Sequence, residues 1–377
     1  MKKLVFLTGT RADYGKIKAL MQAVEKSELF KLQVFVTGMH MLSKYGSTYK
    51  EIMKDEFSDI YQFVNTRDNQ RMDITLSNTI MGFSNYVEEF KPDLIVVHGD
   101  RVEALAGAIV GAFNNIRVAH IEGGEVSGTI DESIRHAITK FAHFHLVANE
   151  KAAQRIVQLG EKHTTIFEVG SPDIDVMQSN NLPTIEEVKL RYEINFPQYH
   201  IVMFHPVTTE IDTIELQINE LVIAIKNYRD NFVIIYPNND EGSSKILNAY
   251  KQLEGHSHIK IFPSIRFEYF LTLLKNAKSI IGNSSAGIRE AGVYATPTID
   301  IGNRQNGRYL LNELPHILHV EADSKKIVAA INSVGKLQLQ PQSLFGSGES
   351  VKKFMAILND DRLWKTTIQK QFISIQG

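Results

Sequence analysis

No cysteine occurs among the 377 residues. That absence excludes disulfides, thiolate nucleophiles and cysteine-based zinc sites. Neither charge dominates, since 41 Lys and Arg stand against 43 Asp and Glu. Without a basic block the chain lacks the electrostatic footprint of a nucleic-acid binder. Long apolar runs are missing as well. None approaches the roughly 20 residues that span a bilayer, and the opening Leu4-Val5-Phe6-Leu7 gives way at once to Thr8-Gly9-Thr10, too soon for a signal-peptide core. A cytoplasmic protein with no membrane or nucleic-acid partner is the expectation. Nor is there a GxSxG elbow for serine hydrolysis or an HxxxH pair on one helix face. No metal and no cofactor is expected.

What is present is ordinary globular material, 43% hydrophobic and 22% charged, in a length that suits two domains. Short apolar runs at Leu4–Thr8, Leu32–Thr37, Leu94–His98, Arg117–Ile121 and His145–Ala148 alternate with segments of helical period at 14–26, 73–90, 102–113 and 131–141. The rhythm restarts with strands at 201–204, 232–236, 259–262, 279–281 and 298–301, and helices at 214–228, 243–253, 267–276 and 324–334. Buried strands alternating with amphipathic helices make parallel sheets. The fold class read from this is α/β, two Rossmann-like doubly wound domains facing across a cleft. The polar stretch Ser171–Pro197, with three prolines, reads as the crossing linker. Expected boundaries are 1–172 and 173–354, with a C-terminal helix over 355–377 packing back on the first domain.

In open parallel sheets ligands collect beyond the carboxyl ends of strands, so the loops there carry the argument. After Leu4–Thr8 comes Gly9-Thr10-Arg11-Ala12-Asp13-Tyr14-Gly15-Lys16, where Arg11 and Lys16 open a helix whose N-terminal amides favour an anion. A tight turn with solvated charges is an equally good reading of that loop alone. His98-Gly99-Asp100-Arg101 and His120-Ile121-Glu122-Gly123-Gly124 end two further strands, and Asp131 opens the next helix. First-turn acids are commonplace, which weakens the case for Asp131. Asp100 and Glu122 beside glycines at buried strand ends are costly to desolvate without a task or a partner. In the second half His205 follows a strand, and Asn283-Ser284-Ser285-Ala286-Gly287 enters a helix with hydroxyls and amides suited to a phosphate. An N-cap is the plain alternative for the serines. Glu290, a turn and a half inside that helix, suits a ribose diol, and Arg304 with Arg308 suits a diphosphate.

These segments, GTRADYGK, HGDR, HIEGGE, SGTIDESIRH, GSPDID, MFHPVTTE, GNSSAGIREAG and GNRQNGR, occur in an order that closely resembles the hydrolysing UDP-N-acetylglucosamine 2-epimerases of bacterial sialic acid biosynthesis, nearly end to end. The resemblance implies a GT-B arrangement with UDP in the cleft and a homodimer. It implies that Arg11, Lys16, Ser284, Ser285, Gly287, Glu290 and Arg304 bind the UDP-sugar, with Arg101 and His205 near the diphosphate. Asp100, Glu122 and Asp131 fall at the family's acid–base positions, with His205 as leaving-group stabiliser or acid. Non-hydrolysing relatives usually carry glutamate where Asp131 stands. The expected reaction is therefore release of UDP and N-acetylmannosamine by elimination to 2-acetamidoglucal and hydration. A 2,4-diacetamido-2,4,6-trideoxy substrate is the alternative, a non-hydrolysing epimerase or a glycosyltransferase the more remote ones.

Overall fold

Seven segments of the first half lie side by side as parallel strands in a computed structural model that describes residues 1–309 and 313–374. They are β1 (Lys2–Thr8), β2 (Phe30–Val36), β3 (Ile60–Gln62), β4 (Leu94–His98), β5 (Arg117–Ile121), β6 (Phe144–Val147) and β7 (Ile166–Glu168), in the order β3-β2-β1-β4-β5-β6-β7. Every residue of β4 is buried, as expected where helices cover both faces of a sheet. Alternation divides β1 between two cores. Leu4 and Phe6 pack with Ile17, Met21 and Val96 on one face, and Val5 and Leu7 with Phe83, Val97 and Ile138 on the other.

Six strands form the second sheet: β8 (His200–Met203), β9 (Phe232–Ile235), β10 (Ile259–Phe262), β11 (Ile280–Gly282), β12 (Thr298–Ile301) and β13 (Ile317–Val320). Their order, β10-β9-β8-β11-β12-β13, repeats the first sheet's doubly wound pattern. In each sheet the order reverses at one point, between β1 and β4 and between β8 and β11.

The chain divides into two units. The first holds Met1–Glu125, Ile130–Gln178 and the chain from Leu344 onward, and the second holds Val126–Thr129 and Ser179–Ser343. The crossing thus lies six residues beyond the expected 172, and the return comes at 344 rather than 355. Two helices occupy the stretch read as a linker. Pro172–Met177 packs on the helix Arg11–Glu25, which keeps it in the first unit, and Ile185–Tyr192 starts from a capping box of Thr184 and Glu187. The expected C-terminal helix is two short ones, Ser350–Leu358 and Asp361–Lys365, because Asp360 caps a fresh start by accepting from the Arg362 N–H. Phe354, Leu358 and Leu363 nevertheless enter the first unit's core. The last three residues of the expected helix, 375–377, lie outside the described residues.

Candidate active site

At the end of β1 the loop closes on itself. Asp13, third residue of the helix Arg11–Glu25, accepts from the Gly9 N–H at 2.9 Å, the Thr10 N–H at 3.3 Å and the Thr8 hydroxyl. Asp13 thus partners the loop amides just ahead of the helix, and its side chain completes a capping box with Thr10. Burial raises the Asp13 pKa, and the bonds from Thr8 and Gly9 oppose that rise. Arg11 donates to Glu51 Oε1 at 2.5 Å. Glu103 packs beneath Gly9 and Gly38, where a Cβ at Gly38 would stand 2.8 Å from its Oε1, and Arg101 Nε lies 3.4 Å from its Oε2.

Asp100 and Glu122 end the adjacent strands β4 and β5. Arg135, itself 3% exposed, donates to Asp100 Oδ2, and its other nitrogen donates to the Glu125 carbonyl at 3.2 Å. Glu122 stands where the chain leaves the sheet. Its N–H continues the ladder to the Leu146 carbonyl, but its φ of 65° is left-handed. For a non-glycine residue that conformation costs on the order of 1 kcal/mol.

The carboxylate of Glu122 is enclosed by partners from three other elements. The Ser171 hydroxyl donates to Oε1 at 2.5 Å, His98 Nε2 lies 3.3 Å from Oε2, and Lys16 Nζ lies 3.9 Å from Oε1. Lys16 is closer to Asp173 Oδ2, at 3.2 Å. A lysine expected at the UDP-sugar therefore sits among carboxylates, because its buried stem on the helix Arg11–Glu25 directs the ammonium to Glu122 and Asp173. Burial pushes His40 and His120 down to about 3, so both are neutral at physiological pH. Asp131 is half-buried in the first turn of the helix Ile130–Phe141.

In the second unit the reversal between β8 and β11 is bridged by one side chain. Asn283, 1% exposed, accepts from the His205 N–H at 2.6 Å through Oδ1 and donates to the His205 carbonyl at 2.8 Å through Nδ2. His205 Nδ1 accepts from the Asn238 N–H at 3.0 Å. With Nδ1 accepting, a neutral ring carries its proton on Nε2. Gly282, before Asn283, has φ 133°, and a Cβ there would stand 2.0 Å from the Met203 carbonyl oxygen. Only glycine permits that approach of β11 to β8.

Ser284 is an N-cap, its Oγ accepting from the Ala286 N–H at 3.3 Å. The helix it opens spans only Ser285–Ile288, and Arg289 breaks it, so Glu290 heads a second short helix, Glu290–Val293, instead of lying inside the first. Gly287 packs against β12, since a Cβ would lie 2.6 Å from Thr298 Cγ2. Arg304 donates to the Asn283 carbonyl at 3.1 Å, and Arg308 donates to the Val126 carbonyl at 2.9 Å. Both arginines are thus held by backbone oxygens.

Ser171, Asp173 and Arg135 escaped the sequence reading, although each lies in a motif quoted above. Among the described residues no three His, Asp or Glu side chains converge as a metal site, and no helix is long and apolar enough to cross a membrane.

Residues 22–359 match the sequence profile of the family described as UDP-N-acetylglucosamine 2-epimerase. A UDP-N-acetylglucosamine 2-epimerase of Neisseria meningitidis serogroup B is 45% identical over 379 aligned positions, covering all of both chains. A hydrolysing UDP-N,N'-diacetylbacillosamine 2-epimerase of Legionella pneumophila is 31% identical, over 98% of this chain and 99% of its own. Among solved structures, the Methanocaldococcus jannaschii UDP-GlcNAc 2-epimerase in complex with UDP-GlcNAc and UDP superposes with a TM-score of 0.80 at 22% identity, over 95% of this chain and 99% of that one. The two-sheet architecture is that of these GT-B-like proteins.

Proposed function

The chain belongs to the UDP-N-acetylglucosamine 2-epimerase family, and on that footing we propose that it is a hydrolysing member, which converts UDP-N-acetylglucosamine and water to UDP and N-acetylmannosamine. The observation that carries this reading is Glu122, a buried carboxylate held in a left-handed turn among a serine hydroxyl, an imidazole and an ammonium. Such an enclosure suits a group that gives or takes a proton at a fixed point. Asp131 in place of glutamate, and the end-to-end run of motifs, favour the hydrolysing branch.

The sugar C2 proton is weakly acidic, so the reaction goes by elimination. A carboxylate of the first unit removes the C2 proton while the C1–O bond breaks, its electron pair leaving on UDP. The product pair is UDP and 2-acetamidoglucal. Water then adds its oxygen at C1 and a proton returns to C2 on the opposite face, which inverts that centre and leaves the free sugar. The two proton transfers at C2 need a base on one face and an acid on the other, roles that fall to Glu122 and Asp131, with Asp100 oriented by Arg135. The second unit takes UDP. The Ser284 and Ser285 hydroxyls and the Gly287 turn hold phosphate oxygens, Glu290 the ribose, and Arg304 the diphosphate. His205 donates its Nε2 proton in a hydrogen bond to the departing phosphate.

The 31% identity to the Legionella enzyme favours one second reading, the same reaction on a UDP-2,4-diacetamido-2,4,6-trideoxy sugar. Proton NMR in D2O separates the two. Free N-acetylmannosamine deuterated at C2, formed from UDP-N-acetylglucosamine, is the expected result. Turnover of the 2,4-diacetamido sugar alone transfers the chain to the second reading. UDP-N-acetylmannosamine without free sugar would show the non-hydrolysing reaction.

A further inference from the structure

Glu122 has two oxygens, and the structure treats them differently. Oε1 receives the Ser171 hydroxyl at 2.5 Å, with Lys16 Nζ at 3.9 Å, whereas Oε2 faces His98 Nε2 at 3.3 Å. Ser171 and Asp173 are each 0% exposed. They flank Pro172, which opens the short helix Pro172–Met177 and fixes its first φ. The turn is fastened from the far end of the chain. The Ser171 N–H donates to the Phe345 carbonyl at 2.6 Å, and Asp175 accepts from the Ser350 and Val351 N–H groups at 3.0 and 2.9 Å. A turn so held places the hydroxyl and the carboxylate with little freedom.

We propose that Ser171 and Asp173 are positioning residues for Glu122, Ser171 reserving Oε2 for proton transfer and Asp173 holding back part of the Lys16 charge from Oε1. Lys16 is 0.7 Å nearer to Asp173 than to Glu122, at 3.2 against 3.9 Å. Sharing matters because an ammonium given wholly to one carboxylate stabilises its anion and makes it a weaker base. Also near Glu122 are His98 on β4 and His120 on its own strand, and His98 in turn interacts with Asp13 of the helix Arg11–Glu25. Of all these, Ser171 alone supplies a neutral hydroxyl donor.

The inference rests on the reading of Glu122 as a proton mover in the epimerase reaction, so wild-type turnover is measured first. No turnover of either UDP-sugar counts against that reading of the function itself. With turnover in hand, Ser171→Ala lowers kcat about tenfold, the usual scale for a lost hydrogen bond to a charged group, with KM within about twofold. The acid limb of its kcat–pH profile moves to higher pH, since the carboxylate has lost a donor that favours its charged form. Ser171→Thr keeps the hydroxyl and restores both rate and profile. Asp173→Asn moves the same limb to lower pH, because Lys16 then turns its whole charge on Glu122. Far-UV circular dichroism monitors folding, and if Asp173→Asn does not fold, the Ser171 pair decides. A rate loss in Ser171→Ala with an unmoved acid limb, or without rescue by threonine, overturns the proposal.

Discussion

In the first unit the ends of β4 and β5 carry Asp100 and Glu122, each buried or half-buried and each held by a charged neighbour. The same two topological positions of the second unit, the ends of β11 and β12, carry Asn283 and the Gly302–Arg304 turn. At these two positions the first sheet thus offers carboxylates, and the second an amide and a turn that leads to an arginine. The pattern of strands is shared, so topology does not decide the chemistry. What differs is the residue at each strand end and the partner that steadies it: a guanidinium for Asp100, and a pair of backbone groups for Asn283. A doubly wound sheet provides positions, and the side chains there determine whether a position moves protons or grips a ligand.

The contrast breaks most visibly in kinetics. Asp131→Asn in the first unit is expected to lower kcat by about 10³-fold, within the range for loss of a general acid or base, while calorimetry finds UDP affinity unchanged. Loss of UDP affinity with normal turnover at saturation would reverse the assignment.

Stability sharpens the contrast next. Glu161 accepts from Lys140 at 2.7 Å, Lys370 at 2.6 Å and His145 at 3.3 Å. Burial alone would raise its pKa, but those three bonds outweigh burial and hold it at about 2. The stabilisation is complete above the ordinary carboxylate value near 4.5 and is lost as pH falls from there toward 2. Glu161→Gln should therefore cost about 2 kcal/mol in urea unfolding at pH 7, and the difference from wild type should shrink at pH 3. In the second unit, Glu290→Gln is expected to weaken UDP binding by about tenfold, the scale of one charged hydrogen bond, with kcat at saturation nearly unaltered. The smallest effect belongs to Asp230. It meets His200 and Lys278 at a partly exposed site, and Asp230→Asn should cost no more than ~1 kcal/mol after solvent screening.

The doubly wound pattern was legible because its central strands are uninterrupted apolar runs, as in Leu94–His98. The edges were not. β3 and β7 have three residues each, none fully buried, so no apolar signal marks them. β13 reads Ile-Leu-His-Val with only Ile317 buried. Asp100 and Glu122 could be singled out because carboxylates beside glycines at strand ends are anomalous in a sequence. Their partners could not, since Arg135 lies 35 residues from Asp100, and Ser171 lies 49 from Glu122. Those contacts depend on the sheet order, and Ser171 and Asp173 sat at the start of a proline-bearing stretch that reads as a linker. In the loop after β1 the Gly9 and Thr10 amides find their acceptor in the nearby Asp13 carboxylate, a pairing the sequence reading did not draw.

The return of the chain to the first unit has a consequence for synthesis. Phe354, Leu358 and Leu363 belong to the core built on β1, and Arg117 on β5 donates to the carbonyls of Trp364 and Thr366. The ribosome must therefore translate about 165 residues of the second unit before the first can close. At about 5–20 residues per second that interval is on the order of 10–30 s. The half that begins first is finished last, and through that interval the nascent chain carries an open apolar face that a chaperone would shield.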